Sequence, residues 1–479
     1  MEFIRNLLSA ISNFFSRLFT RSSRYDRKTT QSEKDLPFAH ATDKFSENMP
    51  KINSAIRKNF YKSLLFLEQD DSADDLLDVT AAGGVKEAPI CVKRRMRKAI
   101  DDVDLYKYPD SAKLKQDATV FYRDKRGIKH CTADNIAIAP SSFDLATAVF
   151  STYFPYANIA MITPNFGYYT ELLTQQWGFR GKVDFFNTPK QSHFHISMSA
   201  LRQYIEESKP SAIFLTNPNN PTGDVLTESE LSDIAEICRQ NDTWIICDET
   251  FASTTPHTTT PYSSIAKFAD PRKCIVFNGF SKGESCANLR VSTMCAPRDV
   301  IENIRAHISG TVSNVVAEGL GAILNPDAQE KQELVDHFID NDRIIRHKQE
   351  SIHEKLDSIN QKLSVLYNRS DQYIKVFKPE ATSVLLLDFR SLYNRNFLGR
   401  TVKSGYDIGR TLLDITKVKV VPGEAFMIAP EDMMCRISLA YDNEKLMEVF
   451  DRIEQQVDKE LQRSGKNASR NPPSYLAAR

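Results

Sequence analysis

The sequence predicts an α/β protein: a largely parallel β-sheet buried between helices, followed by a smaller α+β domain. Three observations carry this. First, continuous apolar runs recur at Ala212-Ile213-Phe214-Leu215, Trp244-Ile245-Ile246-Cys247 and Cys274-Ile275-Val276-Phe277. Strands that are apolar on both faces are strands covered on both faces. Second, helical patterns such as Glu228 to Arg239 separate such runs, which is the alternation of a parallel sheet. Third, Asn220, Asp248 and Lys282 each follow an apolar run closely. Functional groups of open α/β sheets gather beyond the carboxyl ends of the strands.

Composition bounds the rest. At 479 residues the chain can bury a large core and is expected to form two domains plus extensions. Lys+Arg and Asp+Glu are equal at 62 each, so net charge supplies no argument for nucleic acid or for acidic partners. Hydrophobic content of 41% and charged content of 26% are those of a soluble globular protein. The eight cysteines form no metal pattern and most stand in apolar stretches, as Cys247, Cys274, Cys295 and Cys435 do. They read as small buried thiols, and no metal is expected. Without a CxxC pair or a small-residue cleavage site, a reducing, cytoplasmic location is expected.

Along the chain, Phe3, Ile4, Leu7, Leu8, Ile11, Phe14, Phe15, Leu18 and Phe19 recur at helical spacing in a basic segment. It is too short and too interrupted to span a bilayer. Packing on the protein or a partner, lying on a membrane face, and serving as a transit peptide all remain open for residues 3–19. Residues 22–48 read as polar and loosely ordered, Asn53 to Leu67 as a helix, and 70–75 as a solvated acidic link. Ile136–Ile138 reads as a strand, Asp144 to Phe154 as a helix, Ile159–Ile162 as a strand and 168–176 as a helix. Beyond the sheet, helices are expected over roughly 298–365. Strands follow at Ser383–Phe389, Val418–Val421 and Arg436–Ala440, then a helix from Asn443 to Leu461. The expected organisation is an N-terminal extension over 1–70, a segment near the site over 71–100, a large domain over 101–330, a small domain over 331–462 and a disordered tail over 463–479.

The chemistry-bearing residues come in a telling order. Asn220 lies in Asn-Pro-Thr-Gly, which alone is a turn signal in any protein. Asp248 ends a buried strand, where a lone carboxylate is often a helix cap. Lys282 closes Asn278-Gly279-Phe280-Ser281-Lys282, where an exposed helix face is not expected, and Arg290 comes eight residues later. Arg436 stands in Cys435-Arg436-Ile437-Ser438-Leu439-Ala440, after Pro422-Gly423-Glu424-Ala425-Phe426. An amine used covalently must be partly desolvated so that it can be neutral.

In order and spacing, over roughly residues 75–460, these segments resemble the class I/II aminotransferases, which use pyridoxal 5'-phosphate (PLP) and have PLP fold type I. The resemblance implies a mostly parallel seven-stranded sheet flanked by helices in the large domain. It implies that Lys282 holds the cofactor as a Schiff base and moves a proton. Asp248 would pair with the pyridine nitrogen, and Asn220 would donate to the 3′ oxygen and help bind substrate. Arg290 would grip the phosphate with two parallel bonds, with Ser281 beside it. Ser141, Ser142 and Phe143, which also read as a helix start, would cradle the phosphate. Phe166 would stack on the ring, and Tyr108 would reach a phosphate across a homodimer interface with shared active sites. Arg436 would bind the α-carboxylate of an L-amino acid.

Departures from that pattern are explicit. Phe251 replaces a tyrosine that donates to the 3′ oxygen. Gly279 replaces a phosphate-binding serine, and Phe143 a small hydroxyl residue. Ala81-Ala82-Gly83-Gly84 lacks the usual substrate-side pattern. Amino-group transfer from an L-amino acid to a 2-oxo acid is the first expectation. A PLP-dependent decarboxylase, lyase or oxidase of an amino acid is the second, because one fold serves all of these. A non-catalytic scaffold at a membrane is the third. Residues near 81–86, 166–169 and 305–314 are expected to set the side chain accepted. Arg305 and His307 are cationic candidates for a second carboxylate and also ordinary helix-surface residues.

Overall fold

The computed structural model describes residues 54–68, 75–174, 178–254, 260–308, 312–377 and 381–465. The expected helix at 3–19, the stretch 22–48, most of the acidic link and the tail from 466 onward lie outside them. The described residues all fall within one compact unit, Asn48–Arg479.

The central sheet has seven strands. In chain order they are β1 (Ile136–Ala139), β2 (Asn158–Thr163), β3 (Lys182–Asn187), β4 (Ala212–Thr216), β5 (Trp244–Asp248), β6 (Cys274–Gly279) and β7 (Ser292–Cys295). Their spatial order is β1-β7-β6-β5-β4-β2-β3. Neighbours from β6 across to β3 run parallel, and β7 runs antiparallel to both β1 and β6. Every residue of β4 and β6 is buried. The helices Ala112–Asp124, Met198–Ser208 and Glu228–Gln240 cover the sheet, with Leu114, Leu201, Leu231 and Ile234 in the same core as Ile213, Ile245 and Val276. Burial on two faces is why these strands read as unbroken apolar runs.

A second sheet is antiparallel, in the order β10-β11-β9-β8, from β8 (Lys375–Phe377), β9 (Val384–Asp388), β10 (Val421–Pro422) and β11 (Met434–Ser438). The expected strand Val418–Val421 is divided. Val418–Lys419 pairs in parallel with Leu77–Asp78, whereas Val421–Pro422 joins the antiparallel sheet. The strand expected at Arg436–Ala440 starts two residues earlier, because Met434 already pairs with Asp388. Helices Gly405–Thr416 and Asn443–Arg463 pack on this lobe. The last presents Leu446, Val449, Phe450, Ile453 and Val457 to its core at helical spacing.

One 40-residue helix, Ala328–Tyr367, serves both cores. Leu334 belongs to the core of the seven-stranded sheet, and Ile352, Leu356, Ile359 and Leu363 to the other. Asp327 caps the helix through a reciprocal pair with Glu330. Among the described residues no helix is long and apolar enough to cross a membrane.

Candidate active site

The carboxyl ends of β2, β4, β5 and β6 deliver Thr163, Thr216, Asp248 and Gly279 to one edge of the sheet. β1 ends there too, ahead of Ser141 and Ser142. Because β7 is antiparallel, its beginning lies at the same edge: Ser292 is paired with Gly279 on one side and Ala139 on the other. Arg290 is thereby carried to the site. A cavity of about 480 Å³ opens at this edge. Its walls also draw on the second lobe through Val421, Ala425, Phe426 and Arg436, and on the N-terminal helix through Leu64 and Leu67.

Lys282 reaches into this cavity. Its Nζ donates to the carbonyl of Ala82 at 2.7 Å and lies 5.6 Å from the centre of the Phe251 ring. Burial pushes its pKa down to about 8, with Arg436 and Arg290 adding to the effect and Asp248 opposing it. A substantial neutral fraction near pH 8 is what a nucleophilic lysine requires.

Asp248 is buried and makes no salt bridge among the described residues. Burial raises its pKa, against the hydrogen bonds it accepts and the nearby Lys282. Oδ1 accepts from the Thr250 amide at 2.8 Å and from the Thr250 hydroxyl, and Oδ2 accepts from the Tyr169 hydroxyl at 2.7 Å. Tyr169 is fully enclosed, with its oxygen also 3.1 Å from Ser142 Oγ. The carboxylate is the stronger acceptor and fixes the tyrosine proton on itself.

Arg436 leaves β11 buried to 4% exposure. One guanidinium nitrogen donates to Asn220 Oδ1 at 3.2 Å, another donates to the Thr80 carbonyl, and Nε has no partner. Its guanidinium lies 5.1 Å from the Phe426 ring centre, and burial pushes its pKa down to about 10. A guanidinium can only donate, so Asn220 must turn its oxygen to Arg436, leaving its amide nitrogen as the donor for a ligand.

Around the far end stand Arg290, Ser141, Ser142, Phe143, Ser281 and Ser292, all lining the cavity. Arg290 is exposed toward it and donates to the carbonyl of Ala287 at 3.1 Å. Gly279 has a steric cause: a Cβ there would meet the Thr250 methyl at 2.7 Å. Ser292 Oγ lies 3.4 Å from that same point, so Ser292 offers a hydroxyl where Gly279 has none.

Lys282, Asp248, Asn220, Arg290, Arg436, Phe166 and Ser281 thus meet in one cavity with the Ser141–Phe143 turn. Tyr108 does not: it is 98% exposed and lies apart from the cavity of its own chain. Arg305 and His307 are exposed and are not among the described residues that line it. Missed by sequence reasoning were Tyr169, Thr250 and Ser292. For Thr250 the signal was its place two residues after Asp248, within hydrogen-bond reach in an Asx-type turn. Tyr169 lies 79 residues from Asp248 and left no local signal. The donor set fits PLP: an amine of lowered basicity, a buried carboxylate without a cation bound to it, an arginine facing the cavity, and a guanidinium Nε without a partner.

The family model for aminotransferase class I and II matches residues 80–453. The chain is 28% identical to the aspartate aminotransferase of Bacillus subtilis (strain 168) over 284 residues, 58% of this chain and 65% of that one. It is 30% identical to a probable aspartate/prephenate aminotransferase of Aquifex aeolicus (strain VF5) over 275 residues, 56% of this chain and 62% of that one. The match thus spans somewhat under two thirds of these relatives. Among solved structures, the aspartate aminotransferase from Thermus thermophilus with maleate superposes with a TM-score of 0.66 at 19% identity, covering 85% of this chain and 97% of that one. The aromatic aminotransferase from Pyrococcus horikoshii OT3 gives 0.66 at 20%, covering 84% and 99%. At such identities these two likenesses show the fold.

Proposed function

The chain belongs to the class I and II aminotransferase family, and on that premise we propose that it transfers the amino group of an L-amino acid to a 2-oxo acid, using PLP held by Lys282. The observation that carries the reading is the convergence of Lys282, Asp248 and Arg436 on one cavity. When bound, the cofactor supplies an aldehyde for the substrate nitrogen and a ring that draws electrons from Cα.

Each residue of the cavity then has its own part. Arg436 takes the substrate α-carboxylate, for which a guanidinium lining the cavity is suited. Asn220 holds Arg436 with its oxygen and turns its nitrogen to the 3′ oxygen. Asp248, steadied by Tyr169 and Thr250, receives the ring nitrogen and favours its protonated form. Arg290, Ser141, Ser142 and the backbone at Phe143 receive the phosphate, with Ser281 and Ser292 beside them. Phe166, which lines the cavity, would pack against the ring. Lys282 would hold the cofactor through its amine and would serve to move the proton at Cα. Phe251 offers no donor, so the 3′ oxygen depends on Asn220 alone.

Tyr108 enters through a second copy. Leu105, Tyr106 and Tyr108 are 72%, 83% and 98% exposed, an apolar run that favours a homodimer in which Tyr108 reaches the neighbouring phosphate. A cytoplasmic location goes with this reading.

Purified protein should show a visible absorbance band that borohydride fixes, with the added mass on the peptide holding Lys282. Lys282→Ala should lose the covalent adduct, and an adduct persisting in that variant would move the assignment to another lysine. A panel of amino acids with and without 2-oxoglutarate then tests the reaction. The replacement Phe251, which removes a hydroxyl donor, favours a second reading, a decarboxylase, lyase or oxidase. Release of carbon dioxide or acceptor-free oxygen uptake would select it. A colourless protein that takes up no cofactor would point to a scaffold.

A further inference from the structure

Among the described residues, four charged side chains line the cavity: Asp248, Lys282, Arg290 and Arg436. In an aminotransferase all four are occupied, by the ring nitrogen, the covalent attachment, the phosphate and the α-carboxylate respectively. Among the described residues of one copy, no other cationic side chain lines the cavity to meet a second substrate carboxylate. The wall facing the second lobe is apolar, formed by Leu64, Leu67, Tyr168, Val421, Ala425 and Phe426.

Two of these come from the helix Ser54–Glu68, which precedes the segment matched by the family model. The helix is fixed against the second lobe: the Phe66 ring is 1% exposed and its centre lies 6.0 Å from that of Tyr406. Leu64 Cδ2 comes within 3.7 Å of the point where a Cβ on Gly167 would stand, and that Cβ would meet the Ala425 carbonyl oxygen at 2.2 Å. Gly167 therefore lets the helix, the Phe426 segment and the Phe166–Tyr168 turn close on one another.

The charge at the rim points the same way. Glu68 ends the helix and Glu171 lies one turn beyond Tyr168, and neither makes a salt bridge among the described residues. Burial raises the pKa of the Tyr168 hydroxyl, with Glu171 and Glu68 adding to the rise and Arg436 opposing it.

We propose that Leu64 and Leu67, with Tyr168 and Phe426, form the side-chain compartment of this site and select uncharged apolar amino acids over dicarboxylic ones. The proposal rests on the aminotransferase reading. It departs from the aspartate named for several relatives. The physical reason is that this wall offers apolar surface to a substrate side chain and, among the described residues of one copy, no further cation to a second carboxylate.

The test uses the full-length holoenzyme. kcat/KM is measured for phenylalanine, leucine, aspartate, glutamate and lysine, and binding of 3-phenylpropionate and succinate is measured by calorimetry. Phenylalanine or leucine is expected to exceed aspartate by at least about tenfold, and 3-phenylpropionate to bind tighter than succinate by a similar factor. Leu67→Arg, on the partly exposed side of the helix, should narrow the ratio roughly tenfold by admitting aspartate. Leu64→Ala should raise KM for leucine with little change in kcat. Retention of the visible band shows that both variants are folded. Turnover led by aspartate, glutamate or lysine, or a ratio unmoved by Leu67→Arg, overturns the compartment and leaves the aminotransferase reading intact. Absence of any turnover with preferential 3-phenylpropionate binding overturns the reading of the reaction and supports the compartment.

Discussion

Glu424 precedes the Ala425–Phe426 wall of the cavity and is buried. One oxygen accepts from the Tyr406 amide at 3.1 Å, and the other has no hydrogen-bond partner. Burial pushes its pKa up to about 8, against about 4.3 for a free glutamate. The folded state therefore binds this proton more tightly than the unfolded chain does. The stability contributed by the group is complete below about pH 4.3 and is lost as pH rises through 8. Glu424→Gln stays neutral throughout and should remove that loss. In urea titrations at pH 8.5 the variant is expected to be more stable than wild type by on the order of 2 to 4 kcal/mol, with the gap closing below pH 5. Equal stabilities at pH 8.5 would mean that water or rearrangement satisfies the buried carboxylate. Asp248 contrasts with it: buried too, it accepts three hydrogen bonds and has the Lys282 amine nearby, and these oppose the rise that burial causes.

Several elements are joined behind the site by another set of charges. Glu249 follows Asp248 at the end of β5, Glu284 lies two residues past Lys282, and both are buried. Arg126, just beyond the helix Ala112–Asp124, faces them and donates to Asn278 Oδ1 on β6 at 2.9 Å. Its guanidinium lies 4.7 Å from the centre of Phe121 and 5.1 Å from that of Tyr262. Burial pushes Glu249 up to about 7 and also raises Glu284, and Arg126 opposes the shift in each. Arg126→Met should cost about 2 to 3 kcal/mol, because it leaves carboxylates enclosed without a cation. Adding Glu249→Gln should recover part of that loss in urea titrations. A double variant as weak as the single one would assign the effect to packing on the two rings instead. Such links explain what the sequence did and did not disclose. β4, β5 and β6 were legible because burial on two faces makes them continuously apolar. β3 was not, since Lys182, Asp184 and Asn187 give an edge strand with an exposed margin. Nor was β7, where Ser292 and Thr293 carry no apolar run. Lys282, Asn220 and Arg436 were legible through their neighbours in sequence. Tyr169 and Arg126 act across 79 and 152 residues, a distance over which local patterning is silent.

For the molecule as a whole, two apolar cores share the helix Ala328–Tyr367, and the cavity lies between parts contributed by both. The helix Ser54–Glu68 closes that arrangement although it lies outside the segment matched by the family model. Phe60, Leu64 and Phe66 are 0%, 7% and 1% exposed, so the helix hands three large apolar side chains to the fold. Each contributes roughly 1.5 to 3 kcal/mol on burial, and such figures are upper estimates because unfolded chains already hide some apolar surface. Their sum of about 5 to 9 kcal/mol is comparable to the roughly 5 to 15 kcal/mol that separates a folded protein from its unfolded chain. A chain lacking residues 1–53 and one lacking residues 1–74 differ mainly by this helix. The shorter chain should unfold at a clearly lower urea concentration and show more exposed apolar surface by dye binding. It should also lose the apolar wall of the cavity, so that amino acid binding weakens more for leucine than for alanine. Matching urea midpoints for the two truncations would show that the helix rests on the lobe without holding it, and the site would then have to be complete without Leu64 and Leu67.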